Sequence, residues 1–125
     1  MQAATFCVLA ASKSGVNFAS FEKDAEWLAE SDGSGFRHRS APVSVTFPKD
    51  SDGVARVCEA RATLASQDDQ SQMVKAFEIL LKKKPVVQSD SVIWLLNTKT
   101  GPRGLQIFSD KKSPQPQVRL VGAAF

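Results

Sequence analysis

The spacing of apolar side chains along the chain predicts three helices. Residues 3–12 are rich in alanine and place small side chains on one helical face, and residues 18–31 are expected to form a second helix. The third helix has the clearest signals, because Ser66 can cap its first turn and a wide apolar stripe follows at helical spacing. That stripe predicts a helix packed on the core and consists of Met73, Val74, Phe77, Leu80 and Leu81.

Alternation of apolar and polar side chains predicts strands elsewhere. Residues 43–47 alternate strictly, a turn signal follows, and residues 54–64 can extend as a longer strand whose second face is mixed. After the third helix three further apolar segments are expected to be strands. The segment at 92–96 is apolar on both faces, which is typical of a strand covered on each side or of one at a tight interface. The other two segments are residues 105–108 and 118–125.

The order of these elements is α-α-β-β-α-β-β-β. This order predicts an α+β fold with an antiparallel sheet of about five strands and helices covering one face. The chain has 125 residues, 42% of them hydrophobic, and no change of composition marks a linker, so residues 1–125 are expected to form a single domain. No stretch approaches the roughly 18 apolar residues that a membrane-spanning helix needs.

Cys7 and Cys58 are the two cysteines of the chain, and each falls on a small-residue face of its predicted element. Cys58 is followed on the same side of its strand by Ala60 and Ala62. Small faces allow the close approach that a disulfide requires, so a Cys7–Cys58 bond is predicted in preference to two buried free thiols. The spacing of these cysteines and the presence of a single histidine exclude a zinc site.

The predicted disulfide indicates the cellular compartment in which the protein is found. It implies an oxidising environment such as the bacterial periplasm, with a cytoplasmic location as the alternative. Residues 2–4 look like a mature terminus left after removal of a signal peptide, with Met1 added for expression. Cys7 in a first helix, and an Asp-Gly turn at 52–53 followed by Cys58, resemble small exported proteobacterial proteins of uncharacterised function over about half the chain. The resemblance implies export and no particular activity.

Charge is distributed unevenly along the chain. Residues 1–36 contain two basic and five acidic residues, hence −3, whereas residues 37–125 contain fourteen basic and eight acidic residues, hence +6. Basic clusters at 37–39, 82–84 and 111–112 can attract an anionic partner. Nucleic acid is the less favoured partner, because no aromatic residues alternate with these clusters as they do in proteins that bind single strands.

A partner-binding surface is predicted from the second helix and the end of the third. Glu22, Glu26 and Glu30 recur every four residues and are expected to line one flank of the second helix. Trp27 lies beside Glu26 and is expected to be partly exposed, where it can anchor a partner. The predicted partner-binding residues are Trp27, Glu22, Glu26, Glu30, Lys82, Lys83 and Lys84.

The sequence contains no familiar catalytic motif. His38 is the single histidine and lies between two arginines, where a solvated loop residue is the favoured interpretation. Residues 48–59 resemble a calcium loop, but proline stands at the first ligand position. No Gly-x-Ser-x-Gly or His-Glu-x-x-His motif is present. We therefore predict no catalytic residue, no metal and no cofactor.

Together these observations favour a non-enzymatic exported domain that binds another macromolecule. The favoured partner is a protein, so the chain would be an inhibitor, an immunity protein or an envelope accessory protein. The first alternative is a small-ligand-binding protein or enzyme with a cone-shaped α+β fold, because the element order resembles that of nuclear-transport-factor-like proteins. The second alternative is a phosphate- or nucleic-acid-binding module that uses residues 37–39 and 82–84.

Overall fold

The computed structural model, which describes residues 2–99, 101–109 and 113–125, contains three helices and eight strands. The helices are α1 (Gln2–Ala10), α2 (Ala19–Lys23) and α3 (Gln67–Leu81). The strands are β1 (Trp27–Ala29), β2 (Gly35–His38), β3 (Val43–Thr46), β4 (Cys58–Thr63), β5 (Val86–Val87), β6 (Ser91–Thr98), β7 (Gly101–Ser109) and β8 (Gln117–Ala124).

All eight strands pair antiparallel in one sheet, in the order β1-β2-β3-β4-β8-β7-β6-β5. The predicted α+β class and antiparallel sheet are therefore confirmed, but the expected number of about five strands is too low. The element order is α-α-β-β-β-β-α-β-β-β-β. The additional strands are β1, β2 and β5, which are short and have little alternation in sequence.

The first and third predicted helices are confirmed as α1 and α3. Ser66 caps α3, and its Oγ accepts a hydrogen bond from the backbone N–H of Asp69 at 3.2 Å. Lys82 ends the helix in the left-handed conformation, with φ of 53°, and Pro85 follows shortly after. No helix of the described residues is long and apolar enough to cross a membrane.

The predicted helix over residues 18–31 is wrong beyond its first turn. α2 ends at Lys23, and Asp24 Oδ1 then accepts the backbone N–H of Glu26 at 2.9 Å. A local side-chain bond of this kind competes with helical hydrogen bonding. The chain can then enter β1, where pairing with β2 satisfies its backbone and places Trp27 opposite His38.

One face of the sheet carries the helices and the core. Successive residues of a strand point to opposite faces, so the buried Trp94, Leu105, Ile107 and Ala60 lie on the same side as the helices. α1 crosses β8 closely at Gly122, where a Cβ atom would come within 2.8 Å of the Cys7 carbonyl group. The small residues of β8 therefore allow α1 to pack directly on the sheet.

No helix of the described residues packs on the opposite side, which we call the open face. Cover on both sides of residues 92–96 is therefore not found: Leu95 points to the open face and is 54% exposed. The alternative of a strand at a tight interface stays a prediction. Trp94 points to the core, and its Nε1–H donates to the Lys83 carbonyl oxygen at 2.9 Å.

Gln70 of α3 is buried, yet neither Nε2 nor Oε1 of its amide has a hydrogen-bond partner within the part of the chain that the structure describes. A buried amide without partners is destabilising, and methionine has a similar length without the polar atoms. We expect Gln70→Met to raise the free energy of unfolding by about 1–2 kcal/mol in a urea titration.

Gln67, on the same helix, provides the matched control for this substitution. Its Nε2 donates to the Ser113 carbonyl oxygen at 2.6 Å, so Gln67→Met removes a hydrogen bond and is expected to lower stability. A loss of stability in Gln70→Met as well would show that the Gln70 amide has a partner in solution.

Candidate interaction surfaces

Cys7 and Cys58 form the predicted disulfide. Their Cα atoms are 5.0 Å apart, and both side chains are completely buried between α1 and β4. The bond joins residues 51 positions apart in sequence. Its burial and its place in the core indicate a structural role, which fastens α1 to the sheet.

The predicted acidic flank does not exist as a helical surface. Glu22 lies in α2, Glu26 in the following turn and Glu30 beyond β1, because the helix ends at Lys23. The Glu30 carboxylate is 3.8 Å from the guanidinium of Arg37 on β2. The role of these three glutamates in partner binding stays a prediction.

Trp27 is only 6% exposed, so the prediction of partial exposure is wrong. Its ring packs edge-on against Phe21 and His38, with centroid distances of 5.1 Å to each. Because β1 turns the side chain toward the helices, Trp27 belongs to the core on that side of the sheet. Its proposed role as a partner anchor stays untested, but the ring has little exposed surface.

His38 is the last residue of β2 and half-buried, so the prediction of a solvated loop residue is wrong. Its Nδ1 accepts the backbone N–H groups of Ala41 at 3.0 Å and Ser40 at 3.2 Å. These bonds shape the turn between β2 and β3, which gives the imidazole a structural role in the turn.

Lys82, Lys83 and Lys84 follow α3 directly and are exposed. The Nζ of Lys83 donates to the Leu95 carbonyl oxygen at 2.8 Å, at the edge of β6. This lysine and Pro85 protect the sheet edge beside the two-residue strand β5, as charged residues and prolines do at exposed edges. The predicted basic cluster at 111–112 lies outside the described residues.

Arg56 occupies the segment that resembled a calcium loop. Its guanidinium binds the carboxylates of Asp50 at 2.8 Å and Asp52 at 2.6 Å, and its Nε donates to the Lys13 carbonyl oxygen at 2.7 Å. Within the described residues no group of three or more His, Cys, Asp or Glu side chains could hold a metal. A single guanidinium of the chain itself therefore bridges the two aspartates of this loop.

This contact makes the stability of the loop depend on pH. Hydrogen bonds from Arg56 and from the backbone N–H of Val54 lower the pKa of Asp52 from 3.8 to about 2. Because the folded-state pKa is lowered, the stabilisation is present above pH 3.8 and is lost as the pH falls toward 2.

We therefore expect the wild type to have a higher melting temperature than Asp52→Asn at pH 5, and this difference to shrink steadily as the pH is lowered to 2. Circular dichroism melts across this range measure it. A difference that stays constant with pH would show that the Asp52 carboxylate is not responsible.

The open face has an apolar half, which sequence reasoning missed. Leu95, Gly104 and Ala123 lie opposite one another across β6, β7 and β8, and a shallow depression of about 450 Å³ lies over them. The Phe125 ring packs directly against Gly104. A Cβ atom at position 104 would lie 2.8 Å from this ring, so a larger residue would not fit without displacing it. The residues that line the depression are Val86, Ile93, Leu95, Gly104, Leu105, Gln106, Val121, Ala123 and Phe125.

Next to it is a charged half. Arg61 on β4 and Arg119 on β8 are directly opposite one another, and Glu59 Oε1 lies 3.0 Å from Arg61 and 3.7 Å from Arg119. The Arg119 guanidinium is 4.0 Å from the centre of the Phe108 ring. One carboxylate faces two guanidinium groups, so this half carries a net positive charge.

Comparison of the chain with models of protein families, with curated proteins and with solved structures finds no match. The open face is therefore characterised only by its own geometry and chemistry. The apolar half could have been suspected from sequence, because Ile93 and Leu95 share one strand face and Val121, Ala123 and Phe125 share another.

Proposed function

We propose that this chain is a non-enzymatic exported module that binds another protein through the open face of its sheet. The observation that carries the proposal is the exposure of Leu95 and Phe125, 54% and 53%, on a face without helical cover. Adjacent exposed apolar side chains of this size commonly mark interaction sites. A flat sheet face can supply the well-packed centre that a protein interface needs.

The charged half indicates the kind of protein that would bind. Like charges directly opposite one another in a sheet are unfavourable. The single negative charge of Glu59 offsets only one of the two positive charges of Arg61 and Arg119. Acidic side chains of a partner would complete the neutralisation. The expected partner therefore has an apolar centre bordered on one side by carboxylates, and association should slow at high salt.

The buried disulfide supports export, because such bonds persist in oxidising compartments. The alternative of a small-ligand protein with a cone-shaped fold would be favoured by a deep pocket around Trp94. Trp94 is fully buried and its Nε1–H is bonded to a backbone carbonyl oxygen, so it offers little to a ligand. Protein binding is the better-supported function.

The test compares Leu95→Glu with Gln72→Glu, which adds the same charge to an exposed polar position of α3, on the other side of the sheet. The wild type, carrying a photo-crosslinker on the open face, is incubated with a periplasmic extract, and crosslinked proteins are identified by mass spectrometry. Affinity is then measured with the purified partner at low and high salt.

We expect Leu95→Glu to weaken binding by about 100-fold or more, as for a central interface residue, and Gln72→Glu to have little effect. Binding that is insensitive to both Leu95→Glu and salt would contradict the use of the open face. Self-association of the purified wild type through this face, detected by light scattering and abolished in Leu95→Glu, would identify a second copy as the occupant and overturn the proposal of a different protein.

A further inference from the structure

The groove between α1 and α3 holds a second apolar cavity, on the helix-covered side of the sheet. Its volume is about 130 Å³, and its floor is formed by Leu96 of β6 and Leu105 of β7. Apart from the Thr5 hydroxyl, all lining side chains are apolar, and a small apolar cavity holds hydrocarbon better than water. The walls are formed by Ala4, Thr5, Val8, Leu9, Phe77, Leu80 and Leu81.

The mouth of this groove is apolar as well. Leu9 on α1 is 54% exposed and Leu80 on α3 is 56% exposed, and both side chains line the cavity. A cavity of this size holds a group of about six carbon atoms. A longer hydrocarbon chain would fill the cavity and also cover the exposed side chains at its mouth.

A cluster of positive charge adjoins one end of the groove. Lys82 follows the wall residue Leu81 directly, and Lys83 is bonded to the Leu95 carbonyl oxygen, next to the floor residue Leu96. α1 contains no charged residue. Lys82 and Lys84 are exposed, and no ion pair of the described residues involves them, although Glu78 lies one turn earlier on α3.

We propose that the α1–α3 groove binds a fatty acid anion. The hydrocarbon tail occupies the cavity over Leu96 and Leu105, and the carboxylate lies at the end of α3 beside Lys82 and Lys84. The apolar cavity and the lysines supply the two parts that an anionic amphiphile requires, in adjacent positions. Lys83 keeps its structural contact with β6. This site is separate from the open face and does not depend on the proposed protein binding.

Trp94 provides a direct readout, because its ring centroid is 5.8 Å from that of Phe77, which lines the cavity. The probes are sodium decanoate below its micelle-forming concentration and 1-decanol, which has the same chain without the charge. Binding is followed by tryptophan fluorescence and by calorimetry. We expect saturable binding of both probes, with decanoate bound at least about fivefold more tightly.

Two pairs of variants separate the contribution of the carboxylate head group of decanoate from that of its hydrocarbon tail. Lys82→Glu/Lys84→Glu should weaken decanoate binding at least about tenfold and leave decanol within about twofold, whereas the distant control Lys23→Glu/Lys49→Glu changes neither. Thr5→Phe, which fills the cavity from an exposed wall position, should abolish binding of both probes. Its control is Thr63→Phe, at an exposed position of β4.

Three outcomes would overturn the proposal. One is the absence of saturable decanoate binding to the wild type. Another is equal decanoate binding by the two charge-reversal variants. The last is association with phosphatidylglycerol vesicles in a flotation assay without binding of monomeric decanoate, which would make a bilayer the occupant. Among these variants only the control Thr63→Phe lies on the open face, so failure of the others leaves the protein-binding proposal intact.

Discussion

Reduction of the Cys7–Cys58 disulfide is expected to lower the free energy of unfolding by about 4 kcal/mol. The bond closes a loop between residues 51 positions apart, so its loss returns considerable conformational freedom to the unfolded chain. It also removes the covalent link between α1 and β4, and α1 otherwise relies on packing against small residues such as Gly122. A loss of this size is a large part of the stability of an ordinary domain.

Urea titrations of the oxidised and reduced protein, followed by circular dichroism, measure this difference. The double variant Cys7→Ala/Cys58→Ala is the control, because it should be destabilised to a similar extent and should not respond to reductant. Coincident curves for oxidised and reduced wild type would contradict the expected contribution. Two free thiols in protein isolated from its native compartment, detected by alkylation and mass spectrometry, would contradict the bond itself.

Phe21→Ala is expected to destabilise the protein by about 3–5 kcal/mol. Phe21 is completely buried at the centre of an aromatic cluster formed by α1, α2 and the first strands. Its ring lies 5.2 Å from Phe6, 5.1 Å from Trp27 and 5.2 Å from Phe36, so truncation leaves a cavity with several rigid walls. Rings cannot close such a cavity without leaving their preferred rotamers.

Phe18 provides the matched control for Phe21. It belongs to the same cluster, with its ring 4.6 Å from that of Phe47, but is 37% exposed. Phe18→Ala should therefore reduce the unfolding free energy by less than half as much as Phe21→Ala. Equal effects in guanidinium titrations would show that burial does not distinguish the two positions.

The elements that sequence reasoning identified correctly are those with strong local signals. α3 combines the Ser66 cap, an apolar stripe and a terminating proline, and each acts within a few residues of the chain. β3 shows strict alternation, and Cys7 and Cys58 lie on small-residue faces that can approach closely. Such signals are local properties and can be read without a partner element.

The segment from Trp27 to Ala29 shows where local reasoning fails. Its apolar residues fit helical spacing, but the Asp24 side chain interrupts the helix and pairing with β2 stabilises a strand instead. Strand preference depends on cross-strand partners, which are distant in sequence. The exposure predicted for Trp27 was wrong for the same reason, because its burial is set by packing against Phe21 and His38.

The candidate sites were the least predictable part of the protein. Lys82–Lys84 were identified from sequence as a charged cluster, but the groove beside them exists only because α1 and α3 lie next to each other on the sheet. The sequence did not reveal that the apolar half of the open face is exposed. Residues 92–96 are apolar on both sides, and this pattern fits a strand with helices on both faces as well as a strand with helices on only one face.

The sequence by itself therefore determined the α+β class, the antiparallel sheet, the position of α3 and the disulfide pairing, because capping, periodicity and small-residue faces depend on neighbours along the chain. Only the tertiary structure decided that residues 27–29 are a strand, that Leu95 and Phe125 face solvent, and that α1 and α3 form the walls of an apolar groove. These features depend on which face of each strand receives a helix, and that choice is made by packing between segments far apart in sequence.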